Sequence, residues 1–141
     1  MKKIAIGSDH AGFNYKEAIK DHLVNAGIEV EDCGTFTNAS CDYPDYAHAV
    51  ANAVEQGVCG VGVLVCGSAN GVAITANKHA GIRAAICWEN EIAVLARAHN
   101  DANVICIPSR FVSIDVALEM VETFLSTDFE GGRHAQRVGK I

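Results

Sequence analysis

Cys66-Gly67-Ser68-Ala69-Asn70-Gly71 places a thiol where an apolar run, Val61-Gly62-Val63-Leu64-Val65, gives way to small residues. A thiol just ahead of a helix start has its thiolate favoured by free backbone N–H groups, so its pKa is expected to fall toward neutrality. A base serves best when its pKa lies near the working pH. Cys66 is therefore the candidate proton-transfer base. The competing assignment, a small core residue, suits Cys33, Cys59, Cys87 and Cys106, several of which sit in apolar runs. The Gly67–Gly71 loop also lets N–H groups turn toward an anionic ligand. It is neither a Gly-Lys-Ser/Thr phosphate loop nor a G-x-G-x-x-G dinucleotide turn, which disfavours a nucleotide.

Other reactive side chains stand at comparable points. Gly7-Ser8-Asp9-His10-Ala11-Gly12 follows the first apolar run, and Ser109-Arg110 follows the last. Asp9 can equally be a helix N-cap, and His10 a surface turn residue. His99-Asn100-Asp101 falls between a helix and a strand, on the opposite edge of any parallel sheet. Alone, His99 reads as a helix C-cap; as a catalytic group it must serve a site built with another subunit. His22, His48, His79 and His134 show no metal-ligand spacing, so they are expected to be structural or surface residues.

The elements that must hold these groups alternate. Strands are predicted at 4–6, 28–31, 61–65, 83–87 and 104–107, and helices at 9–26, from Pro44 to Gly57, at 70–78, 89–98 and 112–125. Tyr15, Ala18, Ile19, Leu23 and Ala26 are the expected inward face of the first helix. Five such units imply a three-layer α/β/α sandwich with a five-stranded parallel, Rossmann-like sheet. Ligands of such sheets bind beyond the carboxyl ends of the strands.

The totals set bounds. A chain of 141 residues, half of them hydrophobic, suits one domain spanning 1–141. A net charge of −6 argues against nucleic acid or an anionic membrane as partner. The last stretch runs against that balance, since 131–141 holds Arg133, Arg137 and Lys140 and no acid. Six cysteines without a C-x-x-C pattern predict neither a zinc ribbon nor a redox pair. After Met1-Lys2-Lys3 the apolar run is too short for a signal-peptide core, so a cytoplasmic protein is expected.

Gly7 through Gly12, Asp42-Tyr43-Pro44, Cys66-Gly67-Ser68 through Asn77-Lys78, Gly81-Ile82-Arg83, His99 through Asn103, Ser109-Arg110 and Glu130-Gly131-Gly132-Arg133-His134-x-x-Arg137-Val138 together resemble the B-type ribose-5-phosphate isomerase family. The likeness runs in order from residue 4 to residue 138, and the family includes allose- and galactose-6-phosphate isomerases. It implies an aldose–ketose isomerase of the pentose phosphate pathway that interconverts ribose 5-phosphate and ribulose 5-phosphate, with no cofactor and no metal. By this resemblance Cys66 moves the proton, and His99 of a partner subunit opens the furanose ring with help from Asp9. Ser68, often a threonine in relatives, supports proton movement between the oxygens. His10, Arg110, Arg133 and Arg137 are the implied phosphate clamp. Asp42 and Tyr43 line the sugar pocket, with Gly67, Asn70, Gly71 and Asn100 among the substrate-binding set. The resemblance further implies a homodimer or tetramer with shared sites, segment 127–141 packing on the partner. Ala69 stands where many relatives have glycine. Ala73 occupies the region where a cysteine-less branch carries a catalytic glutamate, and Pro108 replaces a more flexible residue. The rival readings are a six-carbon sugar-phosphate isomerase and a non-catalytic phosphate- or nucleotide-binding module. A cysteine redox or phosphatase-type enzyme would need a resolving thiol or a loop arginine, and neither is present.

Overall fold

The computed structural model describes residues 3–141; Met1 and Lys2, which the sequence places ahead of the first strand, lie outside them. Five strands form one parallel sheet: β1 (Ile4–Ser8), β2 (Val30–Asp32), β3 (Val61–Cys66), β4 (Ala84–Ile86) and β5 (Val104–Pro108), in the order β2-β1-β3-β5-β4. The helices are α1 (Phe13–Asn25), α2 (Tyr43–Glu55), α3 (Asn70–Ala76), α4 (Asn90–Ala98), α5 (Ile114–Ser126) and α6 (Arg133–Val138), and a 3-10 turn, His10–Gly12, precedes α1.

The three layers follow from the period-two alternation of strand side chains. Ile4, Ile6, Val63, Val65, Ile105 and Ile107 face α1, α4 and α5, packing on Leu23, Ala93, Met120 and Phe124. Ala5, Leu64, Cys66 and Cys106 face α2 and α3, packing on Val50, Val54, Val72 and Ala76. The core strands are apolar on both faces because both faces are covered. Among the described residues no helix is long and apolar enough to cross a membrane.

Strand order was not readable from the sequence, and it decides where a ligand can sit. β1 pairs with β2 on one side and β3 on the other, so the chain reverses its direction of winding between β1 and β3. At such a switch point the connections diverge to opposite faces and leave a crevice beyond the strand ends. Gly12 must lack a side chain there, because a Cβ would lie 2.4 Å from the Val65 carbonyl oxygen.

Three expectations need correction. The inward face of α1 is Lys16, Ile19 and Leu23, while Ala26 is exposed and Tyr15 and Ala18 are partly buried. Lys16 is fully buried because its ammonium reaches Asp32 at 2.7 Å and Glu17 at 3.2 Å. Asp32 is desolvated there, yet hydrogen bonds from Lys16, the Gly34 N–H and Lys20 hold its carboxyl below the usual range. The first helix also begins later than residue 9, since Asp9 caps a 3-10 turn before α1 starts. Finally, α6 was not foreseen. It is short and has no fully buried residue, so it carries no apolar stripe to betray it.

Candidate active site

Asp9 and Cys66 meet across the crevice. Asp9 follows β1 and is 6% exposed; its Oδ1 accepts the Gly12 N–H at 3.1 Å, which fixes the carboxylate as a turn cap. Its Oδ2 accepts the Cys66 thiol at 3.2 Å. The two alternatives left open for Asp9 are therefore one arrangement, since the cap orients the oxygen that meets the thiol.

The expected low pKa of Cys66 is not what the chain displays. Burial pushes the thiol up to about 11, and the Asp9 carboxylate beside it pushes the same way. The Gly67 and Ala69 N–H groups pull it down, as the loop position predicts, but they are outweighed. Cys66 rests as a thiol. Cys33 and Cys87 are raised to about 11 and about 12, chiefly by burial, in line with core residues.

A cleft of about 430 Å³ opens over this pair, lined by Asp9, His10, Cys66, Gly67, Ser68 and Arg110 with Ala11 and Phe111. His10 Nδ1 accepts the Cys41 N–H at 3.3 Å, so the neutral ring carries its proton on Nε2. Arg110 is brought in by an extension of the β3–β5 ladder: the Ser109 N–H donates to the Cys66 carbonyl at 2.9 Å and the Arg110 N–H to the Gly67 carbonyl at 3.1 Å. Its guanidinium lies over Gly67, where an added Cβ would be 3.2 Å from Cζ. The Ser109 hydroxyl does not face a ligand; it donates to the Ala11 carbonyl at 2.9 Å and latches the two loops together.

The loop beyond the thiol is shaped by Ala69, which sits at φ 64° and is fully buried. Holding a side chain in left-handed backbone costs about 1–2 kcal/mol. Ser68 Oγ accepts from the Asn70 N–H at 3.4 Å and from Asn70 Nδ2 at 3.3 Å, bracing the turn into α3. Tyr43 packs its ring on Gly71, where a Cβ would be 2.4 Å away, so the start of α2 stands beside the loop. Asp42 precedes it as the α2 N-cap and makes no capping hydrogen bond.

His99, Asn100, Arg133 and Arg137 are elsewhere. His99 ends α4, and the loop after it runs to Asn103, whose carbonyl accepts the Gly62 N–H at the start of β3. From Gly62 to Cys66 the strand spans roughly 13 Å, which separates this edge from the thiol cleft. Asp101, at φ 47°, is gripped by Arg97 at 3.1 Å and Arg83 at 3.3 Å, which pins the loop. The His99 ring stacks on His134 of α6 with centroids 4.1 Å apart. Arg133 and Arg137 project from α6, exposed. Asn100 borders a separate hollow of about 300 Å³ with Asn77, Arg83 and Ile141. Among the described residues, Arg110, Arg133 and Arg137 make no ion pair.

Sequence reasoning did not reach the stacking of His134 on His99 or the Arg83–Asp101–Arg97 clamp. Only the i, i+4 spacing of Arg97 and Asp101 was visible beforehand. Phe111, 73% exposed at the cleft mouth, had one available signal, its place directly after Ser109-Arg110.

The sequence pattern described as Ribose/Galactose Isomerase matches residues 4–141. Ribose-5-phosphate isomerase B of Escherichia coli (strain K12) is 50% identical over 141 residues, covering 100% of this chain and 95% of that protein. The solved ribose-5-phosphate isomerase B of Clostridium thermocellum superposes with a TM-score of 0.97 at 51% identity, covering 98% of this chain and 93% of the other. A structure of the Mycoplasma genitalium enzyme with bound ribulose-5-phosphate gives 0.93 at 41% identity, over 98% and 92% of the two chains. With a thiol–carboxylate pair at the sheet's switch point and this likeness along its whole length, the chain belongs to the ribose/galactose isomerase family.

Proposed function

We propose that this protein interconverts D-ribose 5-phosphate and D-ribulose 5-phosphate through an enediolate, with Cys66 carrying the proton between adjacent sugar carbons. The observation that carries this reading is the Cys66–Asp9 contact of 3.2 Å, facing a cleft that also holds His10 and Arg110. Isomerisation moves hydrogen within one molecule and exchanges no electrons, so the chemistry asks for a base, donors for the enediolate oxygens and a remote anchor. Cys66 supplies the base. The Ser68 hydroxyl and the N–H groups of the Gly67–Gly71 loop supply donors, each worth roughly 3 kcal/mol when aimed at a developing oxyanion. Arg110 and His10 Nε2–H supply part of the anchor, since paired N–H donors turn phosphate binding into positioning. Asp42 and Tyr43 border the sugar side.

The anchor and the ring-opening imidazole are completed by a second copy. His99, Asn100, Arg133 and Arg137 lie on the far edge of the sheet, too far to serve the cleft of their own chain. A homodimer, alone or within a tetramer, delivers them to the neighbour's thiol, with 127–141 packing on the partner. Those cations also favour the thiolate that an isolated chain does not form. Six free thiols suit the reducing cytoplasm.

A coupled isomerase assay tests the reading. Ribose 5-phosphate is turned over by the wild type, and Cys66→Ala loses roughly 100- to 10,000-fold in turnover while still binding the sugar phosphate. Binding without turnover, indifferent to Cys66→Ala, would identify a non-catalytic phosphate-binding module. Parallel kinetics with allose 6-phosphate and galactose 6-phosphate fix the length of the sugar.

A further inference from the structure

The amino edge sets two groups that the proposed isomerisation does not use, Glu130 and His134, against the His99 imidazole that it does. His99 Nε2 and His134 Nε2 lie 3.8 and 3.5 Å from Glu130 Oε1, and all three head groups fall within 4.8 Å of one another. These separations are too long for good hydrogen bonds. The two imidazole–carboxylate distances are near the spacing of ligands around a small ion, since bonds of 2.0–2.2 Å in a tetrahedron put neighbouring ligand atoms roughly 3.3–3.6 Å apart.

The cluster is held in place. The Glu130 N–H donates to the Ala98 carbonyl at 3.0 Å, and Arg97 Nε donates to the Thr127 carbonyl at 3.2 Å, so the segment before α6 is tied to the end of α4. Glu130 and His134 then sit four residues apart on one side of the chain. The His134 side chain is 12% exposed, under a ring stacked on His99 at an interplanar angle of 11°. A plain surface ion pair needs neither that burial nor a second imidazole. The stacked rings hold their lone pairs in parallel planes, so binding an ion requires them to leave the stack, by rotation about χ2, which is soft for histidine, until both Nε2 atoms face a common point.

We infer that His99, Glu130 and His134 form a two-imidazole, one-carboxylate site for zinc or a similar borderline divalent ion, with a fourth position left to water. The neighbouring charges decide which ions can use it. Arg133 and Arg137 flank the cluster with one carboxylate against them, so the local field repels cations. Only an ion that bonds strongly to imidazole is retained, which selects zinc, copper(II) or nickel(II) and rejects magnesium and calcium. A metal on His99 Nε2 occupies the lone pair that a proton relay needs. Resting on the isomerase reading above, the consequence is that the ion inhibits the enzyme.

Calorimetric titration of the full-length protein with zinc chloride, its thiols kept reduced by a phosphine, reads the site without reference to activity. The expected result is stoichiometric uptake per chain that persists in Cys66→Ala, disappears in Glu130→Gln and in His134→Ala, and is absent with magnesium. Cobalt(II) in the same position shows visible ligand-field bands without a near-ultraviolet thiolate-to-metal band. Absence of zinc uptake, uptake unchanged in both variants, or a thiolate band would overturn the assignment. In the isomerase assay, zinc at the same concentrations abolishes turnover by the wild type, and Glu130→Gln keeps its turnover in zinc. Turnover by a zinc-loaded wild type would break the link to His99, whereas zinc binding to a protein with no turnover at all would sink the isomerase reading and leave the metal site supported.

Discussion

The two edges of the sheet are built in opposite ways. At the carboxyl edge the groups around the thiol are buried or latched: Asp9 by its cap, Cys66 at 8% exposure, and Arg110 by ladder bonds continued past β3 and β5. At the amino edge the arginines stand free on a helix with no buried residue. What is pinned there is the His99 loop, by the Arg83–Asp101–Arg97 clamp, and the segment before α6, by the Glu130–Ala98 and Arg97–Thr127 hydrogen bonds. The carboxyl edge carries groups whose relative positions one chain must set to within a fraction of an ångström. The amino edge carries groups that gain their setting from whatever packs against them. That division matches a site shared between copies, in which one surface is the mould and the other the insert.

Mixing experiments strike at this comparison most directly. Cys66→Ala and His99→Ala each lose roughly 100- to 10,000-fold in turnover as homo-oligomers. After subunit exchange at equal amounts, half the dimers pair the two variants and each holds one intact site, so about a quarter of wild-type activity returns. Exchange confirmed by mass with no recovered activity would place both groups in one chain's site. Arg137→Ala should raise KM by roughly 10- to 100-fold with a smaller change in kcat, and Arg110→Ala should do the same from the opposite edge. An unchanged KM in either variant removes that residue from the phosphate anchor.

The resting thiol gives a pH test. In the single chain the Cys66 thiol is pushed up to about 11, so in protein diluted to monomers its alkylation rate should climb about tenfold per pH unit from 7 to 10, and less steeply in the assembled oligomer. Asp9→Asn removes a negative charge beside the sulfur, lowers the thiol pKa and speeds alkylation by roughly tenfold at pH 8. A flat pH profile would mean the thiolate is already formed. The smallest effect is at Ala69: Ala69→Gly relieves left-handed strain, opposed by glycine's freedom when unfolded and by loss of a fully buried methyl, so the net change in a denaturant melt should stay within about 1 kcal/mol.

Much of the carboxyl edge was legible because it is local. Cys66 and the loop after it, Asp9-His10 after β1, and Ser109-Arg110 after β5 all follow short apolar runs, and in a parallel sheet a position after a strand is a position in space. Pro44 at the start of α2 and Gly57 after its end were equally plain, as Pro and Gly act on their own backbone. Lys16 was not legible. Its burial depends on Asp32, sixteen residues on, and a lysine at a helix position ordinarily reads as a solvated face.

Residue order and spacing alone settled the alternating elements, the parallel sheet and the edge on which each reactive group would stand, because hydrophobic period and turn chemistry act over a few neighbouring residues. Tertiary packing decided the rest. Strand order 2-1-3-5-4 put the crevice between β1 and β3 and brought Asp9 to Cys66, which reversed the expected direction of the thiol's pKa. It also folded α6 back so that His134 meets His99. Contacts between residues far apart in the chain depend on which strands become neighbours, and local sequence signals carry no record of that choice.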